Sequence, residues 1–224
     1  MAYRQTVFAL GEWYHCYTRS IDRKTVFETS RDYERFLQAL YVSNSVTPFQ
    51  RSALYNPSHA DFFTIDRGEP LVGIGAYWLM PNHFHLLLQE KSEGGISKFM
   101  QKIGTGFSMY VNAKHARVGN VFIKPFRSKH IVDDRYLRRV VQYIHLNPIE
   151  LFEPKWKSGE AGQTWSLKQK LEEYRYGSLP DYYGAQRIEK RILDSDALQL
   201  LGDVPPLKEV LDEAAAYYAE LSIL

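Results

Sequence analysis

The chain of 224 residues carries 28 Lys and Arg against 26 Asp and Glu, with 45% hydrophobic and 14% aromatic residues. That balance belongs to a folded protein with a full core and excludes a disordered tail protein. A single cysteine, Cys16, permits neither a disulfide framework nor a cysteine-type zinc cluster, no apolar run is long enough for a membrane span, and Met1 to Leu10 lacks a signal-peptide pattern, so the expected address is the cytoplasm with no membrane partner.

The run VFALGEWYHCYTR is rich in β-branched and aromatic residues and predicts a first strand ending near Arg19 and Ser20. Ser30 or Asp32 then caps a helix in which Tyr33, Phe36, Leu37, Leu40 and Tyr41 follow the helical period. Residues 44 to 61, with Pro48 and Pro57, read as a loop, followed by a short extended piece over Phe62 to Ile65. Two strands come next, Leu71 to Leu79 and His85 to Gln89, joined through Met80-Pro81-Asn82. After Gly94-Gly95, a helix from Ile96 to Ala113 has apolar residues at 96, 99, 100, 103, 107, 110 and 111, although Gly104 and Gly106 interrupt it. Val121 to Val132, with Pro125 inside, predicts an edge strand or hairpin. Asp133 and Asp134 cap the next helix, which Pro148 should stop.

The order β-α-β-β-α-β-α specifies an α+β protein, a split βαβ (ferredoxin-like) antiparallel sheet with an added helix. Such an architecture decides no function by itself. Beyond residue 150 the composition changes. Trp156, Gly159, Gly162 and Trp165 interrupt a polar stretch and Ala214 to Leu221 predicts a closing acidic helix. We therefore divide the chain into a sheet-bearing unit, residues 1–150, and a helical C-terminal extension packed on it, residues 151–224.

The net charge of +2 hides an asymmetry, since residues 101 to 140 hold nine basic side chains and only Asp133 and Asp134 as acids. Residues 189 to 220 hold eight acids against Lys190, Arg191 and Lys208. A basic stretch inside a balanced protein has the charge pattern of a polyanion-binding face, and equally that of a solvated helix and hairpin.

His83 and His85 are one residue apart, and on an extended backbone both imidazoles point the same way. Two such nitrogens can share a metal or pack a half-buried strand. In the helix from Arg135 to Asn147 the stripe Leu137, Val140, Val141 and Ile144 faces the core. Tyr136, Tyr143 and Asn147 lie on one flank of that stripe. Tyr143 and Asn147 are one turn apart, so a phenol and an amide oxygen can reach the same point; they serve equally well as a packing tyrosine and a helix C-cap.

Two segments, Leu79-Met80-Pro81-Asn82-His83-Phe84-His85-Leu86-Leu87-Leu88 and Gln142-Tyr143-Ile144-His145-Leu146-Asn147-Pro148, resemble the signature segments of the IS200-like single-tyrosine (Y1) transposases, most nearly the REP-associated tyrosine transposase branch. The first is similar to the family's HUH motif and the second to its nucleophile helix. Weaker likenesses at Tyr14-His15, Thr18-Arg19, Asp32 to Phe36, Gly119, Phe122, Phe126, Ser128 and Tyr174 to Tyr183 extend the resemblance over residues 3 to about 183. It implies an HUH endonuclease sheet, with His83 and His85 as metal ligands, Asn147 as the third ligand and Tyr143 as the nucleophile. Imidazoles with an amide oxygen suit Mg²⁺ or Mn²⁺. The implied reaction is cleavage and rejoining of single-stranded or hairpin DNA through a 5′-phosphotyrosine. Ionising a phenol of reference pKa ~10 then falls to the metal or to Arg138 or Arg139.

Under the same resemblance Lys124, Arg127, Lys129, Arg135, Arg138 and Arg139 become candidates for tracking phosphates, and Tyr14, Tyr17 and Phe126 for stacking bases. The chain departs from the family at Pro125, which stands where relatives have the arginine of an Arg-Phe-Lys run and has Lys124 beside it, and at Ser20, where many relatives have glycine. The rival readings are an immobile site-specific nickase, a non-catalytic nucleic-acid-binding module and a metal phosphohydrolase that uses water. The acidic tail inclines the expectation to a monomer rather than a homodimer, cytoplasmic and nucleoid-associated when bound to DNA.

Overall fold

Alternation of inward and outward residues along four strands builds the sheet that organises the protein. The computed structural model describes residues 6–49, 54–156 and 164–222, so Gly159 and Gly162 lie outside the described residues. The strands are β1 (Trp13–Arg19), β2 (Val72–Met80), β3 (His83–Glu90) and β4 (Arg127–His130), in the order β2-β3-β1-β4 with every neighbour antiparallel. With α1 (Ser30–Val42) between β1 and β2 and α3 (Gly95–Lys114) between β3 and β4, this is the split βαβ arrangement that the element order predicts.

Each sheet face has its own core. On one, Tyr14 and Cys16 of β1, Ile74, Tyr77 and Leu79 of β2 and Phe84, Leu86 and Leu88 of β3 pack against α1 and α3. Ile74 and Tyr77 share a face because a bulge interrupts the β2–β3 register between Ile74 and Ala76. On the other face Ala76, Trp78, Met80 and Leu87 meet α4 (Asp134–Leu146), which Asp133 caps by accepting from the Tyr136 N–H. After Pro148 come α5 (Ile149–Phe152), α6 (Thr164–Glu173), α7 (Leu179–Tyr182), α8 (Ser195–Leu201) and α9 (Leu207–Ser222). Trp156, Leu167, Leu171 and Leu211 from this stretch join the same core. Both α4 and α8 pack on β2, and α4 also packs on β3. Among the described residues no helix is long and apolar enough to cross a membrane.

The structure corrects three local expectations and keeps the long predicted helix. The first strand starts at Trp13, because the chain turns at Gly11 (φ 80°) and Val7 and Leu10 are exposed. Thr29, not Ser30 or Asp32, caps α1; Asp32 is its third helical residue and accepts from the Thr29 N–H and hydroxyl. Residues 62–65 are not extended: Asp61–Thr64 form the turn α2, which buries Phe62 and Phe63 together where a strand would put them on opposite faces. The long helix α3 runs through Gly104 and Gly106, whose Cβ positions face open space, since its buried stripe of Ile96, Phe99, Met100, Ile103, Phe107 and Val111 supplies the packing. Ser20 has extended backbone (φ −62°, ψ 149°), so its position requires no glycine.

A glycine is required where the C-terminal segment crosses β2. Gly177 bridges to Trp78, and a Cβ there would sit 2.1 Å from the fixed indole ring, itself stacked on Tyr174 with ring centroids 4.7 Å apart. The Gly177 carbonyl also accepts from Arg187, whose guanidinium forms a buried pair with Asp181. Gly177→Ala is expected to cost about 3 kcal/mol, the upper end of the range for overpacking a core. The urea unfolding midpoint measures it, and an unchanged midpoint would show that the indole moves aside freely.

Candidate active site

Cross-strand register assembles the floor of the site. Tyr17 lies opposite His85 and Arg19 opposite His83 on one side of β1; on the other, His15 lies opposite Lys129 and Tyr17 opposite Arg127. Directly opposed residues of antiparallel strands project to the same face, so three strands send His15, Tyr17, Arg19, His83, His85, Arg127 and Lys129 to one side. The wall is the flank of α4 carrying Tyr136, Arg139, Tyr143 and Asn147. Together they enclose a cleft of about 990 Å³.

His85 stands at the centre. Its Nδ1 is 2.9 Å from His15 Nε2, and its Nε2 is 3.2 Å from the Asn147 amide nitrogen. The His83 ring lies 5.2 Å from that of His85, with Nδ1 2.7 Å from Asn82 Oδ1. Tyr143, 42% exposed, presents its ring edge-on at 5.8 Å to both His85 and His15. The structure therefore brings together the four residues singled out by the two motifs.

In the amide orientations shown, these contacts correspond to one set of tautomers. An amide nitrogen only donates, so with Asn147 in this orientation His85 Nε2 accepts and its Nδ1–H donates to His15. A carbonyl oxygen only accepts, so His83 donates from Nδ1 to Asn82 and keeps its lone pair on Nε2. Burial, with the charge of Arg19, lowers His83 to about 4 against a smaller upward pull from Glu150; burial and Lys129 lower His15 to about 4. Both rings are neutral at pH 7, as metal ligation requires.

The donor set fits a hard divalent cation modestly. Turning the Asn147 amide over would place its oxygen where its nitrogen now meets His85 Nε2, converging an oxygen and an imidazole on one point. Among the described residues no three His, Cys, Asp or Glu side chains form a metal-holding group.

A model of the family described as "Transposase IS200 like" matches residues 71–147, from just before β2 to the residue that ends α4. Residues 71–147 are therefore similar to the IS200-like transposases. The first motif segment lies within the match, and so does the second apart from its last residue, Pro148. The fold is also similar to a solved structure described as a REP-associated tyrosine transposase bound to a REP hairpin, with a TM-score of 0.53 and 13% identity over 84% of this chain and 90% of that one. No curated protein matches the chain.

Around the matched segment the six candidate basic residues divide. Arg127, Lys129 and Arg139 line the cleft, whereas Lys124, Arg135 and Arg138 are exposed outside it. Helix geometry separates the two neighbours on α4: Arg139 is one turn before Tyr143, whereas Arg138 is turned away from it by roughly 140°. Lys129 also places its ammonium 5.0 Å over the Tyr136 ring. Of the three proposed stacking residues only Tyr17 faces the cleft. Tyr14 is 2% exposed on the opposite sheet face, with its hydroxyl bonded to the backbone of Val7 and Ala9, and Phe126 stacks on Phe8. Arg19, Arg23 and Glu150 line the cleft without having been singled out, and His15 had no assigned role. The signal was the alternation His15, Tyr17, Arg19 along β1, legible as a set only once β1 is paired with β3.

Proposed function

We propose that the protein cleaves and rejoins single-stranded or hairpin DNA, with Tyr143 as nucleophile and His83, His85 and Asn147 holding Mg²⁺ or Mn²⁺. The observation that carries this reading is the meeting of an accessible phenol with two histidines and an amide at one end of a cleft edged by Arg127, Lys129 and Arg139. A cation held there would supply positive charge against the phosphate oxygens and the departing 3′ oxygen. The Tyr143 oxygen attacks phosphorus in line; the P–O3′ bond breaks, leaving a 5′-phosphotyrosine and a free 3′-OH. A second strand's 3′-OH reverses the step, regenerating the phenol and joining DNA without ATP. The relative bound to a REP hairpin makes a hairpin the first substrate to test.

The test is incubation with hairpin-bearing single-stranded DNA and Mn²⁺ or Mg²⁺, read on a denaturing gel. A metal-dependent covalent adduct is the expected result. Tight binding without cleavage would replace this reading with a binding module, and cleavage without an adduct would replace it with a water-using hydrolase. Within the same assay Arg139, beside Tyr143, is expected to stabilise the phenolate. Arg139→Ala should slow adduct formation by about 10² and Arg138→Ala by no more than about twofold. Equal losses would show that both act through general attraction of DNA.

A further inference from the structure

Resting on that reading of the histidines, we propose that His15 is the positioning residue of the site, the acceptor that holds the His85 proton on Nδ1 and thereby keeps the His85 Nε2 lone pair directed at the cation position. Nothing in the two motifs assigns His15 a part, since it lies nearly seventy residues before them on another strand.

The argument is geometric. β1 and β3 are locked by seven paired residues, Trp13 with Gln89 through Arg19 with His83, so the two imidazoles start from fixed neighbouring positions. His15 Nε2 lies 2.9 Å from His85 Nδ1, both rings are buried, and their planes are stacked with centroids 5.1 Å apart. Tyr17 holds both rings from one side, at 5.0 Å from His15 and 5.4 Å from His85. A neutral imidazole carries one proton, and the contact between two ring nitrogens accommodates only one hydrogen. If His85 carried its proton on Nε2, that nitrogen could neither ligate nor accept from Asn147, and the bond to His15 would require His15 to donate instead.

Ligating histidines usually donate their second N–H to a carboxylate, a backbone carbonyl or water. At His85 that place is taken by an imidazole. A neutral acceptor fixes the tautomer without adding a buried negative charge. His83 has the corresponding arrangement through Asn82 Oδ1 at 2.7 Å, so each histidine of the pair has its own tautomer-fixing partner, one adjacent in sequence and one supplied by register.

Two variants of the full chain separate this role from bulk packing. His15→Leu fills the space and removes the acceptor; His15→Gln keeps an acceptor oxygen. Binding of Mn²⁺ alone, followed by the loss of the free-ion EPR signal, is expected to weaken by about 10- to 100-fold in His15→Leu and to stay within about threefold of the parent in His15→Gln. Long-range ¹H–¹⁵N NMR of the metal-free protein is expected to show His85 protonated on Nδ1 in the parent and in His15→Gln. Parental Mn²⁺ affinity in His15→Leu, when His85→Ala has lost it, would overturn the positioning role alone. Mn²⁺ binding untouched by His85→Ala would overturn the metal set and this role with it. A parent protein with His85 protonated on Nε2 overturns the inference even if His15→Leu does not fold.

Discussion

Tyr143→Phe is expected to remove the covalent DNA adduct altogether, a drop of at least about 10³-fold in strand cleavage, while DNA binding stays within about twofold. The size of the effect follows from the chemistry. Phenylalanine has no oxygen to form the phosphoester, and the cleft offers no second hydroxyl on the same flank of α4 other than Tyr136, two turns away. The selectivity follows from the packing. Phenylalanine preserves the edge-on ring contacts with His15 and His85, and the hydroxyl it lacks belongs to a side chain already 42% exposed. The gel and a binding titration on the same hairpin read the two halves separately. Cleavage that survives in the variant would remove Tyr143 from the nucleophile role and assign the attack to water. His83→Ala should also abolish cleavage, but by a different signature, namely loss of Mn²⁺ binding with Tyr143 intact.

Acid is expected to unfold the protein well above the range where carboxylates titrate. Burial lowers His15 and His83 to about 4, with Lys129 and Arg19 adding to it, and burial alone lowers His145 to about 3. Unfolded, each takes a proton near ~6.5. Between these values the unfolded chain binds more protons than the folded one. The stability these histidines contribute is therefore complete above pH ~6.5 and is lost as the pH falls, at up to about 1.4 kcal/mol per pH unit for each. Urea midpoints between pH 7 and pH 4, in EDTA so that no cation contributes, should give an uptake of two to three protons per molecule unfolded. His145 Nε2 bonds to Ser178 Oγ inside the core between α4 and the C-terminal segment, so His145→Gln should lower the uptake by about one. A flat profile over that range would show that these rings are already protonated in the folded chain. Asp32 acts in the same direction at lower pH: burial alone would raise its carboxyl, but hydrogen bonds from Lys114, Tyr110 and the backbone N–H groups of Thr29 and Glu28 outweigh it and hold it at about 2.

The local periods in the sequence carried a large share of the fold. Period two placed His83 and His85 on one side of a strand, period 3.6 placed Tyr143 and Asn147 on one flank of α4, and the element order specified the split βαβ sheet in which both occur. Where local signals compete they misled. Phe62-Phe63 reads as a strand by composition, yet the Asp61 side chain accepting from Ser58 and the joint burial of both rings favour a helical turn.

Sequence alone therefore determined the main sheet and helix elements up to Pro148, the two motif-bearing faces and the resemblance to IS200-like transposases, because each rests on neighbours within a few residues along the chain. Only the tertiary structure decided which residues from different elements share a cleft. The β1–β3 and β1–β4 registers put His15 against His85 and Arg127 beside Tyr17, and the rotation of α4 on its buried stripe turned Arg139 into the cleft and left Arg138 outside. Register and helix rotation are set by the packing of distant side chains such as Trp78, Leu87, Val141 and Ile144 in one core, a condition that no short stretch of sequence expresses.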